Sequence, residues 1–286
     1  MKTLFLILLS SLSLLASTAF ISSAELKNKL ENKNLILLDV TDKQTYQAGH
    51  IPNAVLADVS LFRYKVEKHQ LMQPSSEIQK IVRLLGINNN SDIVIYGHGK
   101  KKELLKASYI ALSLIANGAK NVSLLNGGYA DWLFENSELV STKTPSVLQG
   151  DFIAKFNADI LVDLTYVKEH INKVAMLESR PSRYFYGTDK SSGVRRLGHI
   201  PNAMTSFWKD KFNPDESIRS TKELNNIFLT QHKLDLNKEV IIYCTGGLEA
   251  SMNWYIAYKV LGFKKAKIYD ASMREWGNRD DTPMEL

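Results

Sequence analysis

The chain of 286 residues predicts an α/β protein made of two tandem domains, each a mainly parallel sheet covered by helices on both faces. Three observations carry this expectation. The length exceeds that of one typical domain and suffices for two cores. The hexapeptide Gly-His-Ile-Pro-Asn-Ala stands at Gly49 to Ala54 and again, unchanged, at Gly198 to Ala203. Short β-rich apolar runs alternate with helical stretches, and strands alternating with helices make parallel sheets.

In chain order, residues 1–19 read as a signal peptide: Lys2 supplies the positive start, Leu4 to Leu15 the apolar run, and Ser17-Thr18-Ala19 the small residues of a cleavage site. That run is too short to span a bilayer comfortably, and no stop-transfer pattern follows. The protein is therefore expected to be exported, to a periplasmic setting, with no stable membrane association after cleavage. A cut after Ala19, rather than Ala24, leaves Ile21 to Leu30 to open the first domain. This N-terminal domain is expected over 20–140, a polar linker over 141–158 and a C-terminal domain over 159–286.

Leu35 to Asp39, Ile93 to Tyr96 and Glu239 to Tyr243 read as buried strands. Leu104 to Asn117 and Ala250 to Leu261 read as amphipathic helices with a glycine shortly beyond each end. The repeat extends past the hexapeptide, since Val94-Ile95-Tyr96 recurs as Ile241-Ile242-Tyr243 and the loop ending in Trp132 recurs as the one ending in Trp276. The formal charge of +6 comes from interspersed lysines and acids without a long arginine tract. It indicates mild attraction for small anions and argues against a nucleic-acid partner.

Cys244 is the only cysteine, so it forms no internal disulfide and is either a buried bystander or a free reactive thiol. It directly follows a predicted strand, where ligands of parallel sheets sit. In Tyr243-Cys244-Thr245-Gly246-Gly247-Leu248-Glu249 the glycines let amides converge on one point, and a helix follows with its positive end. Such a cradle lowers a thiol pKa towards neutral. The same pattern also describes a tight strand-to-helix turn around an inert thiol, and spacing alone does not separate the two.

From about Ile21 to Glu285 the chain resembles the tandem-domain rhodaneses, the thiosulfate and 3-mercaptopyruvate sulfurtransferases. The resemblance rests on both hexapeptides, on Glu178-Ser-Arg-Pro181 where the family usually has Asp-x-Arg, on Cys244 to Glu249 as the six-residue active loop, and on Tyr269-Asp-Ala-Ser-Met-Arg-Glu-Trp276. It implies a silent N-terminal domain, whose position matching Cys244 is Gly97. It further implies Cys244 as a nucleophile that carries sulfur as a persulfide, cradled by Thr245, Gly246, Gly247, Leu248 and Glu249. The acceptor would be cyanide or a thiol, including a thioredoxin-like protein, with ping-pong kinetics and no metal or organic cofactor.

The resemblance leaves the small anionic donor open between thiosulfate and 3-mercaptopyruvate. Neutral Thr245 and Gly246 depart from the basic residues of thiosulfate-specific members. Arg183 matches the first of two arginines that bind a mercaptopyruvate carboxylate. The second, near Lys190 to Ser192, is missing, and Arg195 or Arg196 is expected to reach the same space. Members commonly have Thr or Arg where Glu249 stands; a carboxylate there repels an anionic donor and raises the thiol pKa, so Glu249 is expected to turn outward into an ion pair. His50 and His199 are expected to fix turns, and by resemblance to mercaptopyruvate enzymes Asp39 and His50 would line an interdomain site. Trp132 and Trp276 are expected to pack, Trp276 being the one placed to close a pocket, and Lys100 to Lys102 to be a solvated loop. Phosphatases and arsenate reductases of the same fold need an Arg six positions after the cysteine, where this chain has Ala250. The alternative that remains is a low-activity sulfur carrier or a non-catalytic scaffold.

Overall fold

The computed structural model describes residues 19–99 and 101–286, with Lys101 described by its backbone alone. The leader expected at the N-terminus thus lies, but for Ala19, outside the described residues. The first half runs β1 (Phe20–Ile21), α1 (Ser23–Lys27), β2 (Leu35–Asp39), α2 (Lys43–Ala48), β3 (Val55–Leu56), a hairpin of β4 (Arg63–Val66) and β5 (His69–Met72), α3 (Ser75–Leu84), β6 (Asp92–Tyr96), α4 (Lys101–Ala116), β7 (Asn121–Leu125) and α5 (Gly128–Asn136). The second runs β8 (Leu161–Val162), α6 (Leu164–His170), β9 (Ala175–Glu178), α7 (Ser182–Phe185), β10 (Ala203–Thr205), α8 (Thr221–Asn225), β11 (Val240–Tyr243), α9 (Leu248–Tyr255), β12 (Ala266–Tyr269) and α10 (Ser272–Trp276).

The sheets have the orders β1-β7-β6-β2-β3 and β8-β12-β11-β9-β10. Every pairing within them is parallel, so one topology is used twice. Their central strands, β6 and β11, are the most continuously apolar and β-branched, as burial on both faces demands.

The repeated hexapeptide does the same work in each half. Asn53 and Asn202 adopt the left-handed backbone that asparagine tolerates, at φ 66° and 60°. The next contact is equally alike: the Ile51 amide donates to Tyr96 Oη at 3.0 Å, and the Ile200 amide to Tyr243 Oη at 3.1 Å. His50 stacks on Tyr46 and bridges to Ser141, while His199 stacks on Phe185 and bridges to Glu285. Both histidines therefore hold turns and tie the end of each half to its start, as expected. Trp132 and Trp276 are fully buried and donate to the carbonyls of Leu139 and Pro283 at 2.9 and 2.8 Å. Trp276 is thus a core residue and closes no pocket.

The polar segment after Ser141 is polar in composition but not loose. The Gly150 amide donates to the Arg83 carbonyl at 2.8 Å, Arg83 Nε to the Phe152 carbonyl at 2.7 Å, and buried Phe152 anchors the segment on the first half. The halves meet through α4 and α9, where Ser108 and Ser251 hydroxyls lie 2.8 Å apart. Tyr255 Oη of α9 reaches the Ala19 and Val122 carbonyls at 2.5 and 3.1 Å. One apolar core crosses this interface. No helix among the described residues is long and apolar enough to cross a membrane.

A buried cation adds a testable pH dependence. Lys211 Nζ donates to Ser206 Oγ at 2.9 Å and to the Phe207 carbonyl at 2.7 Å, with no direct ion pair among the described residues, and burial, partly opposed by the charge of Asp210, lowers its pKa to about 7. The unfolded chain then binds more protons than the folded one between about pH 7 and 10.5, so this lysine makes folding more favourable as pH rises through that window. The slope is at most of order 1 kcal/mol per pH unit. Denaturant unfolding of Lys211→Met at pH 7, 8 and 9 is expected to show this rise flattened.

Candidate active site

Cys244 stands at the carboxyl end of central strand β11, and α9 begins four residues later. The intervening loop keeps its carbonyls outward. The Met273 amide donates to the Cys244 carbonyl at 3.1 Å, the Arg274 amide to Thr245 at 2.8 Å and the Ser251 amide to Gly247 at 2.9 Å. Gly246 accepts from a side chain of the other half, Arg63 Nη2, at 2.6 Å. With the carbonyls held out, the amides face in. The Gly247 amide donates to Cys244 Sγ at 3.2 Å, and the Gly246 and Ala250 amides also favour a thiolate. Gly247 has φ +91°, so only glycine takes this turn without strain, and an added Cβ would overlap Asp270 Oδ1.

Two electrostatic expectations are corrected here. The thiol is not brought towards neutral; it is pushed up to about 12, first by burial and then by the charge of Glu249, which outweigh the amides. Glu249 is not turned out into an ion pair. It is half-buried, Thr245 Oγ1 donates to its Oε2 at 3.4 Å, the Thr245 backbone amide also bonds it, and burial raises its pKa. The cause is local: Glu249 lies in the first turn of α9, where side chains point back towards the helix start and the positive helix end attracts a carboxylate. The loop therefore carries an anion of its own.

The loop of the first half repeats this device without the thiol. The His98 amide donates to Glu103 Oε2 at 2.8 Å, and a Cβ at Gly97 would lie 2.5 Å from Glu103 Cβ, so no cysteine side chain fits. Asp39, the last residue of β2, packs on this loop, its carboxylate contacting His98 Nε2 at 3.0 Å and accepting from Thr41 Oγ1 at 2.5 Å. His50 instead bonds the Tyr46 carbonyl at 2.7 Å, so Asp39 and His50 form no joint site, contrary to expectation.

The arginines expected to bind the donor are engaged elsewhere. Exposed Arg183 pairs with Asp189 at 3.1 Å, exposed Arg195 pairs with Asp280, and Arg196 holds the Trp276 and Thr282 carbonyls at 2.9 and 2.7 Å. None of them bonds the loop. Arg274 of α10 lies there instead: a Cβ at Gly246 would meet its Cδ at 3.2 Å and a Cβ at Gly193 its Nε at 3.3 Å. Its Nε lies beside Gly193, the residue that follows the Lys190 to Ser192 stretch where the missing arginine was sought. Arg274 was visible as the lone base within Tyr269 to Trp276, whereas nothing in the sequence connects Arg63 with Gly246. Glu178 and Arg180 form a buried pair braced by Tyr243 Oη on Glu178 at 3.1 Å and by Arg180 Nη2 on the Gly198 carbonyl at 2.8 Å. Replacement of the usual Asp thus leaves this pairing intact.

Comparison with known proteins accords with this geometry. The family model of the rhodanese-like domain matches twice, over 22–135 and 162–279. The chain belongs to the rhodanese family. It is 30% identical over 247 residues to 3-mercaptopyruvate sulfurtransferase of Escherichia coli K12, covering 85% of each chain. It is 29% identical over 279 residues to the sulfur carrier protein TtuD of Thermus thermophilus, covering 92% of this chain and 95% of that one. The crystal structure of SseA from Escherichia coli superposes with TM-score 0.75 at 24% identity over 89% of this chain and 98% of that one, which shows the fold. Within this rhodanese, only the second of the two loops has a cysteine, and the first is closed by Glu103.

Proposed function

We propose that this rhodanese transfers sulfane sulfur through a persulfide on Cys244, and the observation that carries the reading is the set of inward amides around Sγ, with Gly247 at 3.2 Å. The Sγ proton passes to the Glu249 carboxylate, whose burial makes it a better base than an exposed one. Sγ then attacks the outer sulfur of the donor. With thiosulfate the S–S bond breaks and its electron pair leaves on sulfite; with 3-mercaptopyruvate, whose one sulfur is attacked, the C–S bond breaks, the pair leaves on the enolate of pyruvate, and the proton of the transferred S–H passes to the enolate carbon to give pyruvate. The terminal sulfur carries the negative charge towards the amides. A thiol or cyanide attacks that sulfur, the Sγ–S bond breaks, and Cys244 is returned.

We assign the anionic group of the donor to Arg274, in preference to Arg183 and Arg195, which their own carboxylates neutralise. Arg274 also lines a groove of about 320 Å³ between the β4–β5 hairpin and α10, whose lining includes no residue of the active loop. Glu249 favours the less charged donor, so 3-mercaptopyruvate is the better fit. The acceptor is a thiol, in keeping with a thioredoxin-like partner, and the setting is the periplasm. Cleavage after Ala19 suits this placement, because it spares β1, the edge strand paired with β7, whereas cleavage after Ala24 removes it. A sulfur carrier is the second reading, favoured by the high thiol pKa, which suits a site completed by a partner.

The test is sulfur transfer to cyanide with both donors in parallel, followed by intact mass spectrometry. A gain of about 32 mass units that disappears in Cys244→Ser, with loss of all turnover, is expected for a persulfide enzyme. A mass gain without turnover identifies the carrier, and neither signal overturns the persulfide reading.

A further inference from the structure

The four carbonyls of residues 244–247 all have donors, and three of those donors are backbone amides of the second half. The exception is Gly246, whose carbonyl is held at 2.6 Å by Arg63 Nη2 at the start of the β4–β5 hairpin, in the half that has no cysteine. We propose that Arg63 is a positioning residue for sulfur transfer, acting across the domain interface by holding the Gly246 peptide so that the next amide, on Gly247, faces Sγ. The proposal rests on the amide-cradle reading of the active loop and deepens it.

Peptide geometry makes the link. The Gly246 carbonyl and the Gly247 N–H belong to one planar unit and point in opposite directions. A donor that fixes the carbonyl outward fixes that N–H inward, at 3.2 Å from Sγ. Gly246 and Gly247 have no side chains to oppose a flip, and a flipped unit would turn an oxygen towards the thiolate or persulfide. The glycines that let the amides converge thus also leave the loop dependent on an outside restraint.

Arg63 is built for that task. It is 7% exposed, its guanidinium carbon lies 4.6 Å from the ring centre of Tyr109, and its charge favours the ionised form of buried Asp270 without a direct ion-pair contact among the described residues. Tyr109 Oη donates to Asp270 Oδ2 at 2.7 Å, and the Met72 amide, on the paired strand of the hairpin, donates to the same oxygen at 2.7 Å. Asp270 packs directly beneath Gly247. The first half therefore grips the loop at two consecutive residues, Gly246 from Arg63 and Gly247 through Asp270.

The test compares Arg63→Met, Arg63→Gln and Arg63→Lys with the parent by iodoacetamide labelling of Cys244 between pH 7 and 10, by kcat and KM for the donor, and by thermal unfolding. Losing one aligned donor lowers kcat on the order of a hundredfold. The expected result for Met and Gln is slower labelling at every pH and a kcat lowered at least tenfold with KM changed less than twofold. Arg63→Lys, which retains a donor, recovers part of both. Labelling needs no sulfur donor, so it reads the loop even if the parent shows no turnover. Should Arg63→Met fail to fold, the Gln and Lys variants carry the comparison. Unchanged labelling and kcat, a rise in KM alone, or a lower unfolding temperature with an unaltered labelling profile each overturn the proposal.

Discussion

Replacing Glu249 with Thr is expected to make Cys244 react faster with iodoacetamide at pH 7, by roughly three- to thirtyfold. A like charge at close range raises a pKa by about 1 to 3 units, and removing Glu249 withdraws that contribution from a thiol that burial and Glu249 together push up to about 12. The thiolate fraction at neutral pH then grows by about ten- to a thousandfold, while the lower pKa makes each thiolate less nucleophilic by about half that exponent. Glu249→Gln keeps the size and is expected to behave alike. The folded thiol holds its proton more tightly than an unfolded one, so it favours folding less as pH rises from about 9 to 12, and the substitutions weaken that loss. Turnover separates two roles of the carboxylate. If thiosulfate turnover rises with labelling, Glu249 acts as a repelling charge; if labelling rises while turnover falls in both variants, it is the proton acceptor. An unchanged labelling rate sinks the electrostatic account of the raised thiol.

Gly247→Ala is expected to lower kcat by about 10² to 10³ while the protein stays folded. Two costs coincide at this residue. Its φ of +91° is one that alanine rarely adopts, and the new Cβ would overlap Asp270 Oδ1 and lie 3.2 Å from Tyr109 Cε2. Asp270 has no easy retreat, since it is 2% exposed and its other oxygen holds Tyr109 and Met72. The loop must move instead, taking the Gly247 amide off Sγ. The stability cost should be about 1 to 3 kcal/mol, and unfolding temperature with kcat measures both effects. Gly262→Ala is the control: its φ is +82° but nothing lies within 4 Å of the added Cβ, so a similar loss of backbone ease should come with unchanged turnover. Equal loss of activity in both variants would mean that general destabilisation, and not the displaced amide, is responsible.

The repeat, the buried strands, the turn role of both histidines and the position of Cys244 were legible in the sequence by itself. Each is a local matter: apolar periodicity places β6 and β11, a short motif with Asn in a left-handed turn leads into β3 and β10, and strand-to-helix spacing sets the cysteine at a sheet end. What only the tertiary structure decided is the charge around that cysteine. Whether Glu249 faces solvent or the loop depends on the phase of the first turn of α9, and its effect on Sγ depends on how little water reaches them. Arg183 matched the family's first arginine and Arg195 was expected to stand in for the missing second, yet Asp189 and Asp280 pair with them, while Arg274 comes in from another helix. Arg63 lies 181 positions before Cys244 and reaches the loop only because α4 packs on α9 and brings the hairpin over it. Backbone pattern is written in neighbouring residues, whereas the field at a buried thiol is the sum over whatever the packed chain brings near it, and that sum has no local signature.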